Sequence, residues 1–249
     1  MTPDHCAGLL RDADPDRFAS VMAAEPRDRA RLATLYAANL EIARAAIASH
    51  EPLISQMRLQ WWADQIAGMA DGRDPARHDI ATPLFAAWGT GIAPLAALVE
   101  ARRQDAMREP FAGEAALLDH IDGCTGTLMR LAAQACGLEG HGVLIADQAR
   151  GSGLAAWLGG YRHLDALHMG LADDSPERIS ALAMTGLAAL DSARRARPKP
   201  PRRAAPALFA GSGARRVLQA VRDRNQFEQS EFSRKYSYAM LAMLGRWQG

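Results

Sequence analysis

Glu41 and Arg44 stand three residues apart, and Arg58 follows in the next helical stretch. Residues at i and i+3 share a helix face, so these charges can form a polar cluster that ties two helices together or contacts a partner. Trp61 and Trp62 are adjacent, about 100° apart on a helix, which lets one indole fill the core while the other lines a cavity. Arg162 could bind an anionic head group or lie solvated on its helix. His120 and Cys124, at i and i+4, could share a metal, but no third ligand stands at a recognisable spacing, so they read as a surface histidine and a core cysteine. His163 and His168 are five apart and point in different directions. Cys6, Cys124 and Cys136 include no C-x-x-C pair of the zinc or redox kind, and a reducing compartment is the simplest reading.

These groups need elements to hold them, and the composition favours helices. Val, Ile and Thr are sparse, Ala, Leu, Met and Arg abundant, and no segment sustains the period-2 alternation of a half-buried strand. At 249 residues the chain is long enough for one domain with a single core. Charged residues make up 23% with a net charge of +1, a balance that does not indicate nucleic-acid binding. The first residues carry Asp4, Asp12, Asp14 and Asp16 rather than a signal-peptide run, and no later stretch reaches roughly 18 uninterrupted apolar residues. The chain therefore reads as cytoplasmic, with a peripheral place on the inner membrane as the alternative.

Helices are expected from about 14 to 23 and from Pro26, where Ala33, Tyr36, Leu40, Ala43 and Ile47 form one inward line. Another opens at Pro52 with two apolar lines, Ile54-Met57-Trp61 and Leu59-Trp62-Ile66-Met69, and should be largely buried. Shorter helices are expected near 83–88 and from Pro94 to about Met107. The run from Glu114 to Cys136 is the cleanest amphipathic helix, and Gly123 and Gly126 within it suggest close helix contact. Further helices should cover 143–168, 176–190 and 207–222. Arg194 to Pro206 is a basic, proline-rich connector. The last segment, Gln226 to Trp247, carries Tyr236, Met240, Met243, Leu244 and Trp247 with Arg234, Lys235 and Arg246 around them; it could lie on an anionic bilayer, enter a partner's groove or dock on its own domain.

The order Asp16-Arg17-Phe18, Leu35-Tyr36-Ala37-Ala38-Asn39-Leu40-Glu41-Ile42-Ala43-Arg44, Glu51-Pro52-Leu53 and Arg58-Leu59-Gln60-Trp61-Trp62 resembles the start of squalene/phytoene synthase family proteins. The likeness continues through Thr125 to Ala132, Gly153-Leu154-Ala155 and Tyr161-Arg162. It implies an all-α, single-domain isoprenoid-synthase-like helical bundle around a central cavity. It implies an extension over 1–13, the family-like domain over 14–222 with its connector at about 194–206, and a C-terminal amphipathic helix over 223–249. In active members, two Asp-x-x-x-Asp motifs on facing helices hold Mg²⁺ that binds and ionises a prenyl diphosphate. Aligning the pattern here puts the expected aspartates at Ala43, Ile47, His163 and Leu167, so no catalytic or metal residue is assigned. Glu41 and Asp165 stand two residues off the pattern, on the wrong side of their helices.

The wording resembles, more than it does the working synthases, the branch that shares these missing aspartates, mitochondrial proteins that assist assembly of respiratory complex I and their bacterial relatives. It implies a catalytically degenerate protein that acts as a binding or assembly factor, with complex I subunits as partners and no cofactor. Tyr36, Asn39, Glu41, Arg44, Arg58, Gln60, Trp61, Trp62 and Arg162 are then candidates for cavity or partner binding. Two alternatives stay open: a prenyl-diphosphate-condensing transferase with altered metal ligands, which alone would need Mg²⁺, and a carrier of an isoprenoid or other lipid.

Overall fold

Five helices begin on a proline, where the missing N–H is one the first turn leaves unpaired in any case. They are α1 (Pro3–Ala13), α2 (Pro15–Ala23), α3 (Pro26–Ile47), α4 (Pro52–Ala70) and, later in the chain, α12 (Pro176–Arg195). The computed structural model describes residues 2–209, 211–225 and 227–248; Gln226 and Gly249, ends of the expected C-terminal segment, lie outside them. Among the described residues there is no strand, and one bridge, Phe111 to Leu171, joins two loops. Residues expected as an extension form α1, whose Cys6 and Leu10 are fully buried against the core.

Helix α3 runs through the middle of the first core, against α1, α4, α5 (Ala81–Trp88) and α9 (Thr127–Ala135). Its expected inward line holds for Ala33 and Tyr36, then opens: Ala43 is half-buried and Ile47 is 40% exposed. The helix end has left the bundle there, and Arg108 caps it by donating to the carbonyls of Ile47 and Ser49 (3.3 and 2.7 Å). The two apolar lines of α4 also part company. Leu59, Trp62, Ile66 and Met69 are buried, whereas Ile54 and Met57 face solvent, because among the described residues no element covers that side.

The run Ala81–Met107 is, by length and composition, apolar enough to cross a membrane, with mean hydropathy 1.5 over an 18-residue window, contrary to expectation. Here a 3-10 segment (Gly89–Leu95) breaks it into α5, α6 (Ala96–Ala101) and α7 (Arg103–Met107), and Leu84, Trp88, Ile92, Leu95 and Leu98 lie in the core.

The expected helix over 114–136 is α8 (Glu114–Ile121), a π-turn (Asp122–Gly126) and α9. The π-turn brings Gly123 onto Ala101, where a Cβ would stand 2.7 Å from the alanine methyl; Gly126 faces only the tip of Arg130. Beside the turn, Arg102 donates to Asp105 (2.7 Å) and the other Asp105 oxygen lies 3.4 Å from His120 Nε2, which also faces Cys124 Sγ at 3.9 Å. His120 is therefore a buried part of a polar knot, not a surface histidine. Both of these contacts fall on Nε2, while Nδ1 lies 3.2 Å from the carbonyl of Ala101, so the ring cannot relay a proton from the thiol to the carboxylate.

The expected helix over 143–168 breaks at two glycines into α10 (Gly142–Gly159) and α11 (Tyr161–Ala166). Helix α10 belongs to both cores: its first half packs on α9, and its second half builds a second cluster with α8, α12 and α14 (Ala214–Arg222). The connector returns to the first core, where α13 (Ala205–Leu208) sits and Ser20 Oγ donates to the carbonyl of Pro206 (2.7 Å). Arg203 makes a two-pronged pair with buried Asp28 (2.8 and 2.7 Å).

Helix α15 (Glu231–Leu244) docks on α2, and its Leu241 joins Ala205 of α13 and Phe209 in one cluster. The docked face is set by Leu241, by Tyr238, whose ring meets Phe209 edge-on and whose hydroxyl bonds Asp16, and by nearby Trp247. Tyr236 and Met243, expected on the working apolar line, point away with Phe232.

Candidate functional site

The end of α3 and the middle of α4 enclose a cleft of about 250 Å³, lined by Glu41, Arg44, Ala45, Ala48, Arg58, Trp61, Trp62 and His78. Five of these are residues the sequence singled out. Glu41 and Arg44 pair at 3.3 Å, half in solvent, a geometry that carries little stabilisation. Arg58 makes no ion pair among the described residues and completes the polar wall. Trp62 is 4% exposed and fills the core, while Trp61 meets it edge-on at 5.1 Å and stays half-exposed at the cleft.

His78 is the residue that sequence reasoning missed, and it has no motif around it. Its Nδ1 accepts from the N–H groups of Ile80 and Ala81 (3.1 and 3.3 Å), capping α5, and its ring lies against Trp61 and Trp62 at 4.9 and 5.5 Å. The capping bonds fix the ring, and the ring fixes the indoles. From half-exposed Trp61 at this floor, the exposed Met57 and Ile54 run out along α4, continued by Leu53 at 71% exposure.

The other candidates lie elsewhere. Tyr36 and Asn39 are buried in the core on α3, and burial raises the Tyr36 hydroxyl well above its ordinary pKa. Gln60 turns to the far side of α4, where its amide nitrogen donates to Asp64 and its oxygen accepts from Arg103 (2.7 Å each), tying α4 to α7. Arg162 lines a second, separate cleft of about 590 Å³ between α10, α14 and the segment around Phe227.

The four expected carboxylate positions are likewise divided. Ala43 and Ile47 end α3 near the first cleft, His163 lines the second, and Leu167 lies just past the end of α11. None offers an oxygen ligand. Glu41 is held by Arg44, and among the described residues no three His, Cys, Asp or Glu side chains converge to hold a metal ion. The donors present do not fit a magnesium–diphosphate cluster, which needs several hard oxygen ligands.

Helices enclosing α3 in this order define an all-α isoprenoid-synthase fold. A crystal structure of a dehydrosqualene synthase in complex with ligand is similar over 96% of this chain and 94% of that one, with a TM-score of 0.74 and 12% identity. The family model for squalene/phytoene synthase matches residues 10–172, and the chain belongs to that family. No curated protein matches it significantly.

Proposed function

We propose that this chain is a catalytically degenerate member of its family that serves as a binding or assembly factor, using the cleft of Glu41, Arg44, Arg58, Trp61, Trp62 and His78 to hold a protein partner. The observation that carries the reading is the continuity of that cleft with the outward line of Ile54 and Met57. A half-open pocket with an indole, two guanidinium groups and an adjoining apolar strip suits a segment that presents an acidic and an apolar side chain together. The absence of carboxylates at Ala43, Ile47, His163 and Leu167 supports the loss of prenyl-diphosphate chemistry. The resemblance to the complex I assembly branch makes subunits of that complex the proposed clients, with the protein cytoplasmic or at the inner membrane surface.

Two measurements test this. Purified protein given prenyl diphosphates and Mg²⁺ should form no condensed product; turnover would overturn the degenerate reading in favour of a transferase with altered ligands. Pull-downs should retain complex I subunits and lose them with Met57→Glu or Trp61→Ala. Retention unchanged in both variants would refute the cleft, and a deletion that leaves complex I assembly intact would refute the role. Mass spectrometry of a lipid extract decides the carrier alternative, which requires a co-purifying isoprenoid.

A further inference from the structure

A groove of about 700 Å³ lies on another side of the molecule, lined by Arg194, Lys199, Arg215, Gly245, Arg246, Trp247 and Gln248. Four stretches contribute its cations: the end of α12 (Arg194), the connector just after it (Lys199), the start of α14 (Arg215) and the tail beyond α15 (Arg246). Among the described residues Asp191 is the one carboxylate paired into it, on Arg215 at 2.6 Å. Lys199 donates to the carbonyl of Arg194, and its pKa is lowered by desolvation and by the neighbouring Arg197 and Arg194, as expected where positive charge is left uncompensated.

The last turn of α15, immediately before the groove's Gly245, is apolar. Arg202 donates to the carbonyls of Ala242 and Met243 (3.1 and 2.6 Å), capping α15 and fixing its last turn beside the groove. Met243 and Leu244 at that turn are 65% and 54% exposed, and Tyr236 and Phe232 continue the ridge along the helix. The same helix is anchored on its opposite face by Tyr238 and Leu241, so the ridge is presented rigidly.

We infer that this face docks on an anionic phospholipid surface, the groove taking lipid phosphate on Arg194, Lys199, Arg215 and Arg246 while Met243 and Leu244 enter the interfacial region. Charge complementarity selects the occupant: an apolar ridge alone would accept any greasy partner, but one beside a groove where a single carboxylate offsets four cations matches an interface that is apolar below and negative above. The inference is independent of the assembly reading, since it uses none of the residues of the α3–α4 cleft.

Cosedimentation of the full chain with phosphatidylcholine vesicles containing about one quarter phosphatidylglycerol tests it. Binding is expected to these vesicles, not to phosphatidylcholine alone, and to fall as salt shortens the Debye length from roughly 10 Å toward 3 Å. Arg194→Gln with Arg246→Gln should weaken binding about 25-fold, from roughly fivefold per cation, and Met243→Ser with Leu244→Ser should weaken it on the same vesicles. All four side chains are exposed, so an unchanged melting temperature shows that the variants remain folded. Equal binding by the Arg194/Arg246 variant, or tight binding of inorganic pyrophosphate with no vesicle recruitment, would overturn the inference.

Discussion

Removing the Asp105 carboxylate should destabilise the fold far more than removing any surface charge. Asp105 is 4% exposed and accepts from Arg102 on one oxygen at 2.7 Å, while His120 Nε2 stands 3.4 Å from the other; the Arg102 side chain is only 24% exposed, and its Nε already lacks a partner. Asp105→Ala leaves that guanidinium buried without a counterion, a change worth about 3–5 kcal/mol. For a chain of this size, that lowers the melting temperature by roughly 6–20 °C. Urea unfolding followed by tryptophan fluorescence measures the first figure and a thermal scan the second. The cost comes from the stranded charge, so pairing Asp105→Leu with Arg102→Met in one chain should recover most of it. A loss below about 1 kcal/mol for Asp105→Ala, or a double variant no more stable than the single one, would refute the reasoning.

The same knot sets an acid limit. Burial, with help from Arg102, holds His120 below its ordinary pKa of 6.5, although Asp105 opposes the shift. The unfolded chain then binds the extra proton first, so stability should fall as pH drops through 6.5, and His120→Gln should flatten that slope in pH-dependent urea midpoints. Burial raises the Cys6 and Cys124 thiols to about 11 and Cys136 to about 12, so a thiol reagent at pH 8 should label none in the native protein and all three in urea. Gly123→Ala should cost about 1–3 kcal/mol, because its methyl would overlap Ala101, while Gly126→Ala meets only a movable arginine tip and should be near neutral; urea midpoints separate the two.

Most helices opened by a proline were legible in the sequence, because that residue acts locally: α2, α3, α4 and α12 start at or within a residue of where they were expected, whereas α1, opened by Pro3, was expected as an extension, and Pro94 falls inside the 3-10 segment instead of opening a helix. Interruptions were not. The π-turn at Asp122–Gly126 and the break at Gly160 depend on which helix lies opposite, which no single-helix periodicity encodes. Nor does a periodic line say how far a helix stays inside the bundle, and so Ile47, Ile54 and Met57 read as buried and are not. Within the cleft, the charged and indole residues were legible because they fall in two short motifs, over 35–44 and 58–62. His78 was not, since it reaches them from a loop and is recognisable only through the N–H groups and rings it touches.

The clamp between Arg203 and Asp28 changes what a break in the chain would mean. Arg195 is exposed at the end of α12, and a protease that cuts after it would sever residues 1–195 from the rest. Yet the second piece would still hold on through Arg203, through Pro206 and Phe209 on Ser20, and through Leu208 on Gln148. Nicking should therefore give two bands in detergent and one native species on a sizing column. The molecule is in this sense already a split protein, and its two parts, expressed separately, should find each other.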